Sequence, residues 1–368
     1  MGKSMFSNVI NEAVNAIHSG EELKQNAAKH LFPLKTGDLS KFNSRELLEE
    51  KLVFPVAPCS LDCRISGVDS GFVGKNLASL DLVLVRAVSV AFDFENGKMV
   101  KALYWPDFYH FPEPVLSNGA LDHDEAGCSK SLVRLHKEIF AAKKAIETFS
   151  PKYCFLDGSI IPQYADKPRN DSSVCSDYHS IIDEFQSLYA LAEESNCTLI
   201  ACVEDSRGSR FRGILQEEIL SKARLFDPKK LDSLFDSSLL DYLLLKGERS
   251  CAFTYTKNIS QHPILNDFEE KWSRKVHAFY LKPSLYDRPL RVEFLSNGES
   301  VSAKANELSS VVFSLSSLHR EYAYPSVLIE ADLRARLHPN EIEAVYNKIW
   351  DKLGKHVKIR LRRENRPF

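Results

Sequence analysis

The chain has 368 residues, of which 44% are hydrophobic and 27% charged, and its formal net charge is -2. This is the composition of a globular protein with enough apolar material for one large domain or two ordinary ones. It excludes a global positive field, so any contact with nucleic acid has to come from local basic patches or from bound metal ions.

Residues 4–18 place Phe6, Val9, Ile10, Ala13, Val14 and Ile17 on one helical stripe. Polar sequence follows, with a second helix expected near Ser44–Lys51. Residues 1–58 therefore read as an N-terminal helical arm, whose stripe either packs on its own core or forms a dimer contact. Strands are expected over Cys63–Val68, Leu82–Phe94 and Met99–Trp105, and Asn96-Gly97 marks a tight hairpin between the last two. Pro106–Gly127, with three prolines, reads as loop. Ser129–Phe149 reads as a helix with Leu132, Leu135, Ile139, Ala142, Ile146 and Phe149 facing inward, capped by Ser129 and stopped by Pro151.

Tyr153–Leu156 is a buried strand that runs straight into Asp157, Gly158 and Ser159. A carboxylate at the end of such a strand is costly unless something pairs with it. Ile65–Val68 has the same form, ending in Asp69, Ser70 and Gly71. A polar loop (Ala165–Asp177), a helix (Tyr178–Glu194) and a strand (Thr198–Val203) come next. The loop Glu204–Gly213 carries Arg207, Arg210 and Arg212, which could meet phosphate or simply form a solvated surface. Helical sequence over about 215–245 reads as an insertion. Strands are expected at Ala252–Thr256, His277–Leu281 and Leu290–Phe294. Helices are expected over Val301–His319, after Pro325 with Asp332, and after Pro339. The tail from Val357 alternates apolar residues with Lys358, Arg360 and Arg362, as a half-buried strand does.

Three strands, a helix, a strand, a helix and a strand, with acids on the first and fourth strands, is the layout of an RNase H-like α/β core. A mixed sheet is then flanked by helices, with further helices at the C-terminus. Such a core adds a Glu from the first helix. Glu138 borders the buried stripe, whereas Glu147 lies on a charged face beside Lys143 and Lys144. Oxygen ligands of this kind suit Mn²⁺ and Mg²⁺.

The motifs Gly67–Gly71, Leu156–Ser159, Ile200–Ser206, Arg291–Glu293 and Ala323–Pro325, in this order, resemble the NurA nucleases across roughly residues 60–337. The resemblance implies a single nuclease domain over 59–368, a Mn²⁺-dependent site and a homodimer. It also implies 5′-to-3′ digestion of DNA beside a HerA-type hexameric ATPase in DNA double-strand break repair. By position it makes Asp69, Glu138 and Asp157 metal ligands and Tyr324 a residue near the site. The family commonly has His eight residues after that Tyr, where this chain has Asp332; His338 is a poor geometric substitute. The Asp preserves a metal ligand and loses a proton carrier. Two alternatives stay open: a NurA-like DNA-binding subunit with little catalysis that regulates a motor, and an RNA-directed RNase H-like nuclease.

The eight cysteines include no C-x-x-C pair, which argues against a zinc finger and for reduced thiols in a cytoplasmic protein. No apolar run approaches the ~20 residues of a membrane span. No G-x-x-x-x-G-K-[ST] loop is present, so an ATP-driven step belongs to a partner.

Overall fold

The computed structural model describes residues 2–76, 80–118, 121–223, 227–297 and 300–353. The C-terminal tail, with the expected strand and its basic face, lies outside them. In chain order the elements are α1 (Gly2–Leu31), β1 (Val53–Pro55), β2 (Arg64–Asn76), β3 (Leu80–Glu95), β4 (Lys98–Trp105), β5 (Glu113–Asn118), α2 (His123–Phe149), β6 (Tyr153–Asp157), α3 (Cys175–Glu194) and β7 (Thr198–Val203). They continue with α4 (Arg210–Ile214), α5 (Ser221–Ala223), α6 (Asp236–Leu243), β8 (Glu248–Ser250), β9 (Phe253–Thr254), α7 (Glu270–Ser273), β10 (Val276–Lys282), β11 (Leu290–Leu295), α8 (Val301–Ser316), α9 (Ser326–Ala335) and α10 (Pro339–Leu353). The chain forms two compact units, each assembled from three separated segments.

The unit of Ser60–Cys202, Asn258–Arg274 and Pro325–Phe368 contains strands in the order β4–β3–β2–β6–β7. β2, β3 and β4 are antiparallel neighbours, while β6 runs parallel to both β2 and β7. The β3–β4 hairpin turns on Asn96 and Gly97, both with positive φ (50° and 74°), as its tight turn requires. β5 corrects the expectation of loop over 106–127. It pairs with the first half of β3 while β4 pairs with the second half, and Pro114 is tolerated because β5 has no further strand beyond it. α2 also starts earlier than Ser129, because Asp122 accepts from the Glu125 amide and Glu125 reciprocates in a capping box.

Alternate residues of β2 face opposite sides of the sheet. Ser70 faces α2, whereas Gly67 and Gly71 face α9. A Cβ on Gly67 would lie 2.8 Å from the Val327 carbonyl oxygen, and one on Gly71 would collide with that of Ala335. These two glycines let α9 lie directly on the strand. Gly71→Ala is therefore expected to push α9 outward, at a cost of about 1–3 kcal/mol. Gly74→Ala, whose Cβ meets nothing closer than 3.8 Å, is the neutral control. Thermal melts of the two variants check this; equal melting temperatures would refute the close packing.

The unit of Met1–Cys59, Val203–Lys257 and Lys275–Tyr324 holds the antiparallel strands β1, β8, β10 and β11, with β9 also on β10. Leu31 and Ala27 of α1 join a core with Leu239 and Leu243 of α6 and with Phe211, Phe253 and Tyr280. α1 is longer than its expected stripe, and Val9, Ile10, Val14 and Ile17 on its first half are exposed. The second helix expected near Ser44–Lys51 is absent; that stretch is extended and bent. Its glutamates find tertiary partners instead, Glu46 with Arg210 and Glu49 with Arg249, and these override the helical propensity. Residues 215–245 are helical in short pieces, including a π-helical turn over Leu215–Leu220. No helix among the described residues is long and apolar enough to cross a membrane.

Candidate active site

The β2–β6 register pairs Ile65 with Tyr153 and continues through Val68 with Leu156. One further step sets Asp69 beside Asp157. Asp69, midway along β2, and Asp157, the last residue of β6, thus stand at the same level on neighbouring parallel strands, roughly 5 Å apart in backbone; β2 runs on to Asn76 where the sequence had it end at Val68. Asp69 is 7% exposed and points to the α9 side, between the two glycines that seat that helix. α9 brings Asp332 within electrostatic reach of it. Burial first, then the charges of Asp157, Glu138 and Asp332, push the Asp69 carboxyl well above its ordinary range; the Ser70 amide, donating at 2.6 Å, opposes them. The four predicted carboxylates therefore share one electrostatic neighbourhood.

Glu138 lies on α2 and is buried. Its Oε2 accepts from Ser70 Oγ at 2.5 Å and from Arg134 at 2.7 Å. Burial raises its carboxyl, and Arg134 is the largest opposing influence. Glu147 instead pairs with Lys144 on the surface, as expected. Sequence reasoning missed Ser70 and Arg134 as partners of this acid. The i,i+4 spacing of Arg134 to Glu138 was the available signal; for Ser70 there was none, because it depends on which face β2 turns to α2. Asp166, buried and bonded to Ser131 Oγ and the Gln163 amide, adds a further negative charge near Glu138.

Tyr324 is buried in the other unit, its ring 5.8 Å from that of Tyr322. The arginine segment proves mostly engaged and partly helical. Arg210 and Arg212 lie on α4, whose first amides donate to the buried Asp236 carboxylate at 3.0 and 2.8 Å. Arg210 pairs with Glu46, and Arg212 contacts Gln216, Asp232 and the Leu231 carbonyl. Arg207 is exposed on the loop before α4.

The donor set is all carboxylate oxygen, which is the chemistry of Mg²⁺ and Mn²⁺ sites. Among the described residues, no three His, Cys, Asp or Glu side chains stand close enough to grip one ion. What the acids share is repulsion, and a divalent cation would relieve it. In donor type and charge the residues fit such an ion. Asp69 ionised at neutral pH burdens the folded state: a raised folded pKa means stability is lost as pH climbs above the ordinary carboxylate range. Asp69→Asn is thus expected to melt higher than the parent at pH 8 in EDTA, with the gap closing toward pH 4, and to lose stabilisation by Mn²⁺. A gap independent of pH would rule out this account.

A family model described as the NurA domain matches residues 63–337. The crystal structure of the NurA nuclease from Sulfolobus solfataricus shares 16% identity over 97% of this chain and 99% of its own, with a TM-score of 0.55. A structure of NurA with manganese shares 11% identity over 92% and 98% of the two chains, with a TM-score of 0.45. Another, of NurA bound to dAMP and manganese, shares 11% over 94% and 97%, with a TM-score of 0.44. No curated protein matches by sequence. The strand order and flanking helices define an RNase H-like α/β protein. Within that class the chain belongs to the NurA family.

Proposed function

We propose that the protein hydrolyses phosphodiester bonds of DNA at the Asp69–Asp157 edge of the sheet, using Mn²⁺ or, second, Mg²⁺. The observation that carries this reading is the placement of the two acids side by side on parallel strands, with Glu138 and Asp332 adding to the same field. Asp69, Glu138, Asp157 and Asp332 would hold the metal. A divalent ion there supplies charge stabilisation to the phosphate oxygens and lowers the pKa of the attacking water. The protein's own part is to hold the carboxylates in register, with their mutual repulsion left for the ion to relieve. Arg134 and Ser70 orient Glu138, and the exposed Arg207 would meet backbone phosphate. Tyr324 is assigned to positioning the strand or the water, on the family resemblance.

The same resemblance supports 5′-to-3′ exonuclease action, single-strand endonuclease action and work with a HerA-type hexameric ATPase at broken DNA ends. The exposed stripe on α1 supports a homodimer. On this reading residues 59–368 are the nuclease domain, 1–58 an arm and 215–245 an insertion.

Asp332, standing where the family commonly has His, favours a second reading: a DNA-binding subunit with weak catalysis. Digestion of end-labelled linear DNA and RNA by the full chain, with Mn²⁺, Mg²⁺ or EDTA, separates the two. Metal-dependent loss of label from DNA supports the nuclease, and the labelled end reports polarity. DNA bound but uncut by folded protein under every metal favours the binding subunit.

A further inference from the structure

The β4–β5 connection, residues 106–112, exposes Phe108, Tyr109 and Phe111, at 40%, 80% and 86%. A lone exposed aromatic is unremarkable, but three in four positions form an apolar patch. The patch has a built base. Phe108 packs edge-on against Tyr104 at 4.8 Å, and Tyr109 against Phe108 at 4.7 Å. The Arg334 guanidinium lies 3.8 Å from the centre of the Phe108 ring. Glu330 fixes that arrangement by accepting from both Arg334 and the Tyr104 hydroxyl. Tyr109 and Phe111 are thus presented outward on an ordered support, and Phe111 has no ring partner among the described residues.

The position of the loop gives the patch its meaning. Asp69 pairs across the sheet with Val88, and Trp105, the last residue of β4, pairs with Ser89. The loop therefore leaves the sheet level with Asp69, two strand spacings away, or roughly 10 Å. α9 spans the same interval, with Asp332 in the field of Asp69 and Arg334 on Phe108. The loop contains Asp107 and neither Lys nor Arg, and its His110 lies against Glu113 at 3.7 Å, so it is poorly suited to holding a phosphate. Its ring faces suit the π-faces of bases, which stack without regard to sequence and are available only in an unpaired strand.

We infer that the aromatic loop 106–112 stacks unpaired bases of the DNA strand through Tyr109 and Phe111 and so selects single-stranded or frayed DNA beside the acidic site. The stacking stands on this loop alone; that the strand is then cut rests on the nuclease reading above.

The test uses the full chain carrying Tyr109→Ala and Phe111→Ala together. Binding is read by fluorescence anisotropy in EDTA, with a labelled unpaired oligonucleotide, an abasic strand of the same length and a blunt duplex. The expected result is a loss of about tenfold or more in affinity for the unpaired strand. Duplex binding should not change, and the parent should bind the abasic strand as weakly as the variant binds the normal one. The changed side chains are exposed, so the melting temperature should hold. Unchanged affinity for the unpaired strand, or no binding of it by the parent, overturns the inference and leaves the loop to a protein partner. Failure of the parent to cut DNA in Mn²⁺ would count against the nuclease reading while the binding comparison still decides the stacking.

Discussion

Asp157→Ala is expected to lower Mn²⁺-dependent cleavage of DNA by about a thousandfold or more, measured as initial loss of end label. The size follows from what the residue is asked to do. Charge stabilisation by a bound metal supplies several kcal/mol at the transition state, and each 1.36 kcal/mol is tenfold in rate. Asp157 is the acid that most strongly perturbs Asp69 after burial itself, so its removal dismantles the shared field at its centre. The fold should survive: Asp157 ends β6 and is only half-buried, and removing a like charge relieves Asp69. The variant should therefore melt no lower than the parent in EDTA at neutral pH and gain less from added Mn²⁺. Parental cleavage by a folded Asp157→Ala protein would remove the acid pair from the mechanism.

The largest expected effect on stability lies in the other unit. Glu49→Ala should destabilise it by about 3–5 kcal/mol, because one partner of a buried ion pair is removed and the other stays. Arg249 and Glu49 are joined by two bonds of 2.6 and 2.7 Å, with side chains 0% and 1% exposed. Asn306 accepts a further bond from Arg249, and the Glu49 carboxylate also takes the Ala252 amide and the Ser302 hydroxyl. In Glu49→Ala, Arg249 and the Ala252 amide lose an acceptor in a space that water does not reach, while the exposed Ser302 hydroxyl turns to water. Denaturant melts would show the loss as a lower midpoint. A midpoint shift worth less than ~1 kcal/mol would mean that Arg249 finds another acceptor.

Glu49 also marks where the sequence stops being legible. Arg-Glu-Leu-Leu-Glu-Glu over 45–50 has helical propensity, and nothing local reveals that Glu46 and Glu49 are claimed by arginines some 160 and 200 residues away. β5 was hidden for a similar reason: its Pro114 argues against a strand unless it is known to lie at an edge. By contrast, β6, β7 and most of α2 could be read directly, because apolar runs and a 3.6-residue stripe are local signals. Asp157 was legible as an acid ending a buried strand, whereas Asp69, which looked the same, lies inside β2 because the strand runs on through Ser70 and Gly71 to Asn76. Their adjacency was not, since it depends on a parallel register that only the folded sheet fixes. Arg210 and Arg212 looked like phosphate ligands because a run of basic residues does not show which internal acids will bind it.

That register has a consequence for how the site fails. The spacing of Asp69 and Asp157 is set by interstrand hydrogen bonds within a sheet interior, not by the reach of a mobile loop. Central strands are among the last segments to open in native-state fluctuations, with opening free energies close to that of the whole domain. The backbone amides around both acids should then exchange with solvent only when the domain opens as a whole. Heat would not loosen such a site by degrees: the fraction of competent molecules would follow the fraction still folded.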